Sequence, residues 1–302
     1  MSDVPLSGSP VSPPRPVAPV PPPWQRMLRV LCCPPCGGDL TLTGRTLRCA
    51  RRHTFDLARQ GYAPLLAGGR PAATADTADM VAARERFLGA GHFIPLTDAL
   101  AARTAALCPP GGVLLDAGAG TGHHLAAVLR ALPDGTAGLG LDTSAPALRR
   151  AARAHPRAVA ASWDVWQPLP VRTDAVDVVL NVFAPRNGPE FRRVLSPAGA
   201  LVVVTPTGRH LADLRRSLGL LSVDGAKDER LRHSLGARFV QQGHEEHDHV
   251  LDLGAEEVAQ LVGMGPTARH VGADELRARV AGLGEPCRVT ASFRISVYRP
   301  RA

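Results

Sequence analysis

The amino-acid sequence predicts an α/β protein: a mostly parallel sheet with helices on both faces, preceded by a small metal-stabilised module. Three observations carry this. From residue 111 onward, short apolar runs alternate with helical patterns. A glycine loop, Asp116-Ala-Gly118-Ala-Gly120-Thr-Gly122, joins the first run to a helix. Ahead of it, metal-binding side chains cluster between residues 33 and 53.

The chain has 302 residues, 45% of them apolar. That is enough for one domain of roughly 200 residues and a satellite. No run reaches the ~18 apolar residues of a membrane span, and the N-terminus lacks a basic region followed by an apolar one, so no secretion signal is expected. A cytoplasmic protein follows. The net charge is +8, nearly all from arginine, with Lys227 the only lysine. Such a surface favours an anionic partner, RNA above all.

Residues 1–24, rich in proline, serine and valine, read as a disordered or polyproline-type tail. Residues 25–66 form the compact Cys/Gly/Arg-rich module. Residues 67–110 hold a linker, over 67–79, and then two helices with a turn at 89–95, where Gly89, Gly91 and Pro95 break the apolar spacing. Residues 111–302 form the sheet domain. Val113–Leu115, Ala137–Leu141, Val159–Ala161, Val176–Val182 and Ala200–Thr205 read as buried strands; His124–Leu132 and Ala145–Ala154 read as helices. Val289–Tyr298 alternates in polarity, as a half-exposed antiparallel strand does. Alternation across His244–His249 puts His247 and His249 on one face; a solvated edge strand is favoured there over a second metal site.

Cys33-Pro-Pro-Cys36 and Cys49-Ala-Arg-Arg-His53 are two short-spaced pairs separated by twelve residues. Four such N/S ligands suit a closed tetrahedral zinc site. Gly37-Gly38 lets the chain turn around the metal, and Thr41–Leu47 can form a hairpin with Gly44 at its turn. Cys32 could compete as a ligand, but Cys33 has the two-residue spacing. About 40 residues bury too little apolar surface to fold alone, and one structural zinc supplies on the order of 10 kcal/mol.

In the glycine loop, the glycines permit close approach of a ligand, and the following helix N-terminus favours an anionic group. A dinucleotide would want G-x-G-x-x-G. The spacing here is D-x-G-x-G-x-G, which resembles motif I of class I methyltransferases and so points to S-adenosylmethionine. Asp142 ends the next strand, where its carboxylate can accept from both ribose hydroxyls. Asp164 ends the third, at the usual place of an adenine contact. Asn181-Val-Phe-Ala-Pro185 falls at motif IV, beside the reactive methyl.

The whole arrangement resembles the bacterial 23S rRNA guanine-N1 methyltransferases, most closely their tylosin-resistance branch, from about Leu28 to Pro300. The carrying segments are CPPC at 33–36, RCARRHTFDLARQGYAPLL at 48–66, DTADMVAARERFLGAGHFIPL at 76–96, LLDAGAGTGHH at 114–124, DVWQPLP at 164–170, NVFAPRN at 181–187 and VVTPTGRHL at 203–211. The resemblance implies a class I (Rossmann-like) methyltransferase sheet with a small N-terminal zinc-ribbon module that helps bind an rRNA hairpin. It places the zinc ligands on Cys33, Cys36, Cys49 and His53. Donor contacts fall on Phe93, Asp116, Gly118, Gly120, Gly122, His123, Asp142 and His210. Phe93 departs from the tyrosine common in relatives. The implied target is guanine 748 of hairpin 35; a sister branch modifies guanine 745.

Guanine N1 carries a proton at neutral pH, so an acceptor is needed near the pocket. Asp164 and Asn181 are the candidates. A base in a hairpin loop must also be splayed out to reach the donor. Trp163 and Trp166 could stack on a base, though a core position is the commoner use of tryptophan beside a strand end. His124 reads as an ordinary helix N-terminal residue, and Cys108 and Cys287 as small buried groups. Two other readings stay open: a small-molecule methyltransferase with a structural zinc cap, and a non-catalytic RNA-binding protein on a decayed methyltransferase fold. Intact Asp116, Gly118, Gly120, Gly122 and Asp142 oppose decay. A homodimer is also open.

Overall fold

The computed structural model describes residues 22–66, 75–219, 235–269, 272–283 and 286–301. Most of the expected tail (1–21) and of the linker (67–74), and Lys227, lie outside the described residues.

Helix α1 (Pro22–Val30) starts earlier than the expected tail boundary at residue 24. Pro22 and Pro23 sit in its first turn, where proline costs no hydrogen bond. Trp24, Met27 and Leu31, spaced three and four apart, are buried together. That apolar stripe, not the proline content, decides that this segment joins the core. Strands β1 (Thr41–Thr43) and β2 (Thr46–Arg48) form the hairpin about Gly44, and β3 (Thr54–Asp56) adds to β2.

The two helices after the linker are α2 (Ala78–Gly89) and α3 (Ile94–Ala105). Thr77 caps α2, its hydroxyl accepting from the Met80 N–H at 3.3 Å. Pro95 lies in the first turn of α3. The turn between them is where the glycines and proline placed it.

The main sheet contains β4 (Val113–Ala117), β5 (Ala137–Asp142), β6 (Ala158–Ser162), β7 (Val176–Val182), β8 (Leu195–Pro206), β9 (Phe239–Leu253) and β10 (Cys287–Pro300). Their spatial order is β6-β5-β4-β7-β8-β10-β9. The strands from β6 to β8 run parallel, and β10 runs antiparallel to both neighbours. Helices α4 (His123–Ala131), α5 (Ala145–Ala151) and α6 (Gly188–Val194) connect the parallel strands. Successive strand residues feed opposite faces: Leu115 and Val179 pack toward α1 and the zinc module, Leu114 and Val178 toward α3 and α4. Both faces are therefore apolar. The strand order reverses between β4 and β7, the sheet growing to one side through β5 and β6 and to the other through β7 and β8, and the crevice at the carboxyl ends of strands at such a switch point is where open α/β sheets bind ligands.

Strand β10 differs from its expected half-exposure: it is buried over most of its length. The reason is β9, which pairs with it from Cys287 to Pro300 and takes the edge position itself. The His244–His249 stretch lies on that edge, alternating exposed and half-buried residues.

The zinc module is not tethered at a distance. The Cys32 N–H donates to the Pro170 carbonyl (3.0 Å) and the Arg172 N–H to the Val30 carbonyl (2.9 Å). Residues 63–66 lie along β6: the Ala63 N–H donates to the Ala160 carbonyl (2.9 Å), and the Ser162 N–H to the Ala63 carbonyl (2.8 Å). Leu40, Leu42 and Leu47 share one continuous core with Leu139, Leu141 and Val159.

Candidate active site and metal centre

Cys33, Cys36, Cys49 and His53 converge, with one ligand atom from each lying within 4.8 Å of all the others. The Cys36 and Cys49 sulfurs are 3.8 Å apart, and His53 Nδ1 lies 3.4 Å from Cys33 Sγ and 3.3 Å from Cys49 Sγ. A tetrahedron with Zn–S near 2.3 Å and Zn–N near 2.0–2.1 Å needs edges of about 3.8 Å and about 3.5 Å. The donor set fits zinc in type and in spacing. Cys32 stands outside the cluster; its backbone carries the link to Pro170 instead. Burial pushes the Cys33 thiol up to about 12, with the neighbouring thiols adding to it.

The second cluster lies at the carboxyl rim of the sheet. Asp116, at the end of β4, is 1% exposed, and its Oδ1 has no hydrogen-bond partner among the described residues. Burial, and then the charge of Asp142, push its carboxyl up to about 7. Asp142 ends β5. Its Oδ2 accepts from the Gly120 N–H and its Oδ1 from the Ser144 N–H, both at 2.8 Å. Burial still raises its pKa, against those two donors. Each oxygen keeps a lone pair beyond the backbone bond it makes. A buried and a half-buried carboxylate under the loop suit a cationic ligand such as a sulfonium or an ammonium, and the partnerless Asp116 oxygen is a place for a donor.

The loop glycines turn out to have two duties. Gly118 (φ +89°) and Gly122 (φ +78°) both occupy the left-handed region. A Cβ on Gly118 would lie 2.4 Å from Cβ of Ala184, and one on Gly122 would lie 2.9 Å from Cα of Ala151. These glycines let α5 and the loop after β7 close on the cofactor loop, in addition to any ligand. Gly120 approaches Arg84.

Asn181 is fully buried at the end of β7. Its amide donates to the Ala117 carbonyl (3.1 Å) and the Pro185 carbonyl (2.8 Å), so it ties the motif IV loop to the end of β4. Its Oδ1 is without a partner among the described residues. In this conformation Asn181 positions that loop. Phe183 follows it with φ +53° and is 43% exposed, its ring centre 5.4 Å from that of Phe293. Asp164 lies on the loop after β6 and is half-buried, and its Oδ1 accepts from the Trp166 N–H at 3.0 Å.

Phe93 is buried with its ring centre 4.9 Å from Phe293 and 6.4 Å from His210. His210 stays neutral: burial, then Arg215, lower its pKa to about 4, and its Nδ1 accepts from the Ser292 N–H at 3.2 Å. His123 is half-buried at the start of α4. His124 beside it is also half-buried, burial pushes its pKa down to about 3, and its ring stands 6.4 Å from Phe183.

Sequence reasoning missed Arg84 and Asp76. Asp76, inside the expected linker, pairs with Arg84 and with Arg269. Arg84 also donates to the Met264 carbonyl at 2.9 Å and lies against Gly120. Both belong to the quoted segment 76–96, but nothing local marks which of its charges face the cofactor loop.

The strand order, the acid-ended glycine loop and the acid at the end of β5 define a class I, S-adenosylmethionine-dependent methyltransferase. Residues 31–68 match the zinc-ribbon family described as "RlmA, N-terminal". The chain is 53% identical over 292 residues (91% of this chain, 98% of the other) to a Micromonospora griseorubida protein assigned as a 23S rRNA (guanine-N1)-methyltransferase. It is 49% identical over 279 residues (91% and 99%) to the 23S rRNA (guanine(748)-N(1))-methyltransferase of Streptomyces fradiae. A Bacillus subtilis protein assigned to the same activity is 36% identical over 195 residues, 62% of this chain and 67% of that one. The chain belongs to the 23S rRNA (guanine-N1)-methyltransferase family.

Proposed function

We propose that this enzyme transfers a methyl group from S-adenosylmethionine to N1 of guanine 748 in hairpin 35 of 23S rRNA, in the cytoplasm, and so contributes to tylosin-type macrolide resistance. The observation that carries this is the end-to-end similarity to the Streptomyces fradiae guanine-748 enzyme. The zinc module, docked along β6 beside the cofactor rim, supports an RNA substrate over a small molecule.

The bound donor supplies an already activated methyl. The chain's work is alignment and proton handling. Asp142 would receive the ribose hydroxyls on its free lone pairs. The Asp116 carboxyl and the loop from Gly118 to His123 would hold the cationic end. Phe93 and His210 would wall the pocket, with His210 donating from Nε2 because its Nδ1 is already an acceptor. As the N1–methyl bond forms, the methyl–sulfur bond would break with its electron pair left on the neutral thioether, and the N1 proton would leave to an acceptor. Asp164 is the carboxylate we assign to this step, and Asn181 holds the motif IV loop against which the guanine would lie.

The test is mass spectrometry of a hairpin 35 fragment after reaction with purified, zinc-loaded enzyme and donor. One methyl on N1 of guanine 748 is expected. A methyl on guanine 745 would move the enzyme to the sister specificity, and a methyl on an exocyclic amine or a ribose would refute the reaction. Size-exclusion chromatography with light scattering on the same preparation reads whether it works as a homodimer.

A further inference from the structure

We propose that Trp166 is a stacking platform for an unpaired base of the RNA substrate; this rests on the RNA reading above. Of the three tryptophans, Trp24 and Trp163 are 6% and 7% exposed, but Trp166 is 64% exposed. Its neighbours Trp163, Val165 and Leu169 are all buried, so the segment folds its apolar side chains inward and leaves this one out.

The indole is nevertheless held on a rigid base. The Trp166 N–H donates to Asp164 Oδ1 and the Gln167 N–H to the Asp164 carbonyl, both at 3.0 Å. Asn187 Nδ2 donates to the Val165 carbonyl at 2.9 Å, which ties this turn to the loop carrying Phe183. A large exposed apolar ring on a backbone fixed in advance leaves only its own side-chain torsions to be ordered when it binds.

Its place in the fold selects the partner. Trp166 comes four residues after β6, on the carboxyl rim that also carries Asp116, Asp142 and Asn181. Strand β6 is the strand on which the zinc module docks, and that module presents exposed Arg48, Arg51, Arg52 and Arg59. Exposed arginines on the module that docks along β6, together with an exposed aromatic ring just past the end of that strand, suit single-stranded nucleic acid: phosphates meet the arginines and a base meets the ring. A hairpin loop whose target guanine has been drawn out offers such unpaired bases.

Fluorescence titration of the full-length protein tests this, because Trp166 is the only tryptophan open to a quencher. Adding the hairpin 35 fragment should quench the emission, and Trp166→Phe should abolish the quenching while keeping most of the affinity. Trp166→Ala should weaken RNA binding about 10-fold, as loss of one stacked base does, with cofactor affinity by calorimetry unchanged. Wild-type binding and methylation matched by Trp166→Ala would overturn this inference and leave the RNA reading standing. Loss of cofactor affinity alone in Trp166→Ala would assign the ring to the cofactor pocket and also overturn it. A wild-type protein that neither binds nor methylates the fragment would overturn both.

Discussion

Replacing Gly118 by alanine separates two explanations of the cofactor loop. If the glycine serves only a ligand, the variant should fold normally and lose cofactor affinity. The structure requires more. At φ +89° an alanine costs about 1–2 kcal/mol. The new Cβ would also meet Cβ of Ala184 at 2.4 Å, a clash between two short side chains that rotation cannot relieve. Overpacking of this kind costs about 1–3 kcal/mol. Gly118→Ala should therefore destabilise the protein by about 2–5 kcal/mol, a large share of the ~5–15 kcal/mol that domains possess. Ala184→Gly alone should cost about 0.4–1 kcal/mol through unfolded-state entropy. In the double variant the clash is gone and only the φ strain remains, so the pair should couple by about 1–3 kcal/mol, with the second change rescuing the first. Urea unfolding of the zinc-loaded full-length chain measures all four corners of the cycle. Additivity within about 0.5 kcal/mol, or a Gly118→Ala variant as stable as wild type, would refute the argument.

Other expectations follow from the same geometry. Asp142→Ala should weaken cofactor binding by about 2–3 kcal/mol in calorimetry, since charge-assisted hydrogen bonds contribute roughly 1.5–3 kcal/mol each without full additivity; it also removes the acceptor for Gly120 and Ser144, so unfolding must be measured alongside. Metal analysis should find one zinc per chain, and Cys36→Ser or Cys49→Ser should loosen the module and weaken RNA binding more than cofactor binding. Burial holds His124 down to about 3, so the unfolded chain binds its proton first. Stability from this residue is complete above a pH of about 6.5 and is lost progressively as pH falls toward 3. His124→Phe should lessen that acid sensitivity in unfolding measured from pH 7 to pH 4; an unchanged pH slope would argue against a buried neutral imidazole. RNA affinity should fall steeply with salt, as counterion release demands, and a flat dependence would count against phosphate contacts.

Much of this molecule was legible in one dimension because the signals are local. The Cys/His spacing specifies a tetrahedral site within 21 residues of chain, from Cys33 to His53. The apolar runs ending in Asp116 and Asp142 give strands whose tips must share a rim, because parallel strands joined by helices point the same way. The glycine and proline break at 89–95 separates α2 from α3 for reasons of backbone geometry alone.

Other features needed the fold, because they depend on groups far apart in sequence. Nothing near Trp24 says that it belongs to the core; the β5–β6 face that covers it lies more than 100 residues away. Half-exposure of β10 was a sound reading of alternation, overturned because β9 shields its whole length. Gly118 looked like a ligand's glycine, and its crowding comes from Ala184, 66 residues on. Asn181 looked like a candidate for chemistry; the fold adds that its amide nitrogen ties Ala117 to Pro185 while its Oδ1 keeps no partner among the described residues. Trp163 and Trp166 are two near-equivalent letters in the sequence; only the tight turn at Asp164 sends one ring into the core and the other into solvent. Periodicity and ligand spacing are properties of neighbouring residues, whereas burial and crowding are set by whichever distant segment arrives, and that is decided by tertiary packing alone.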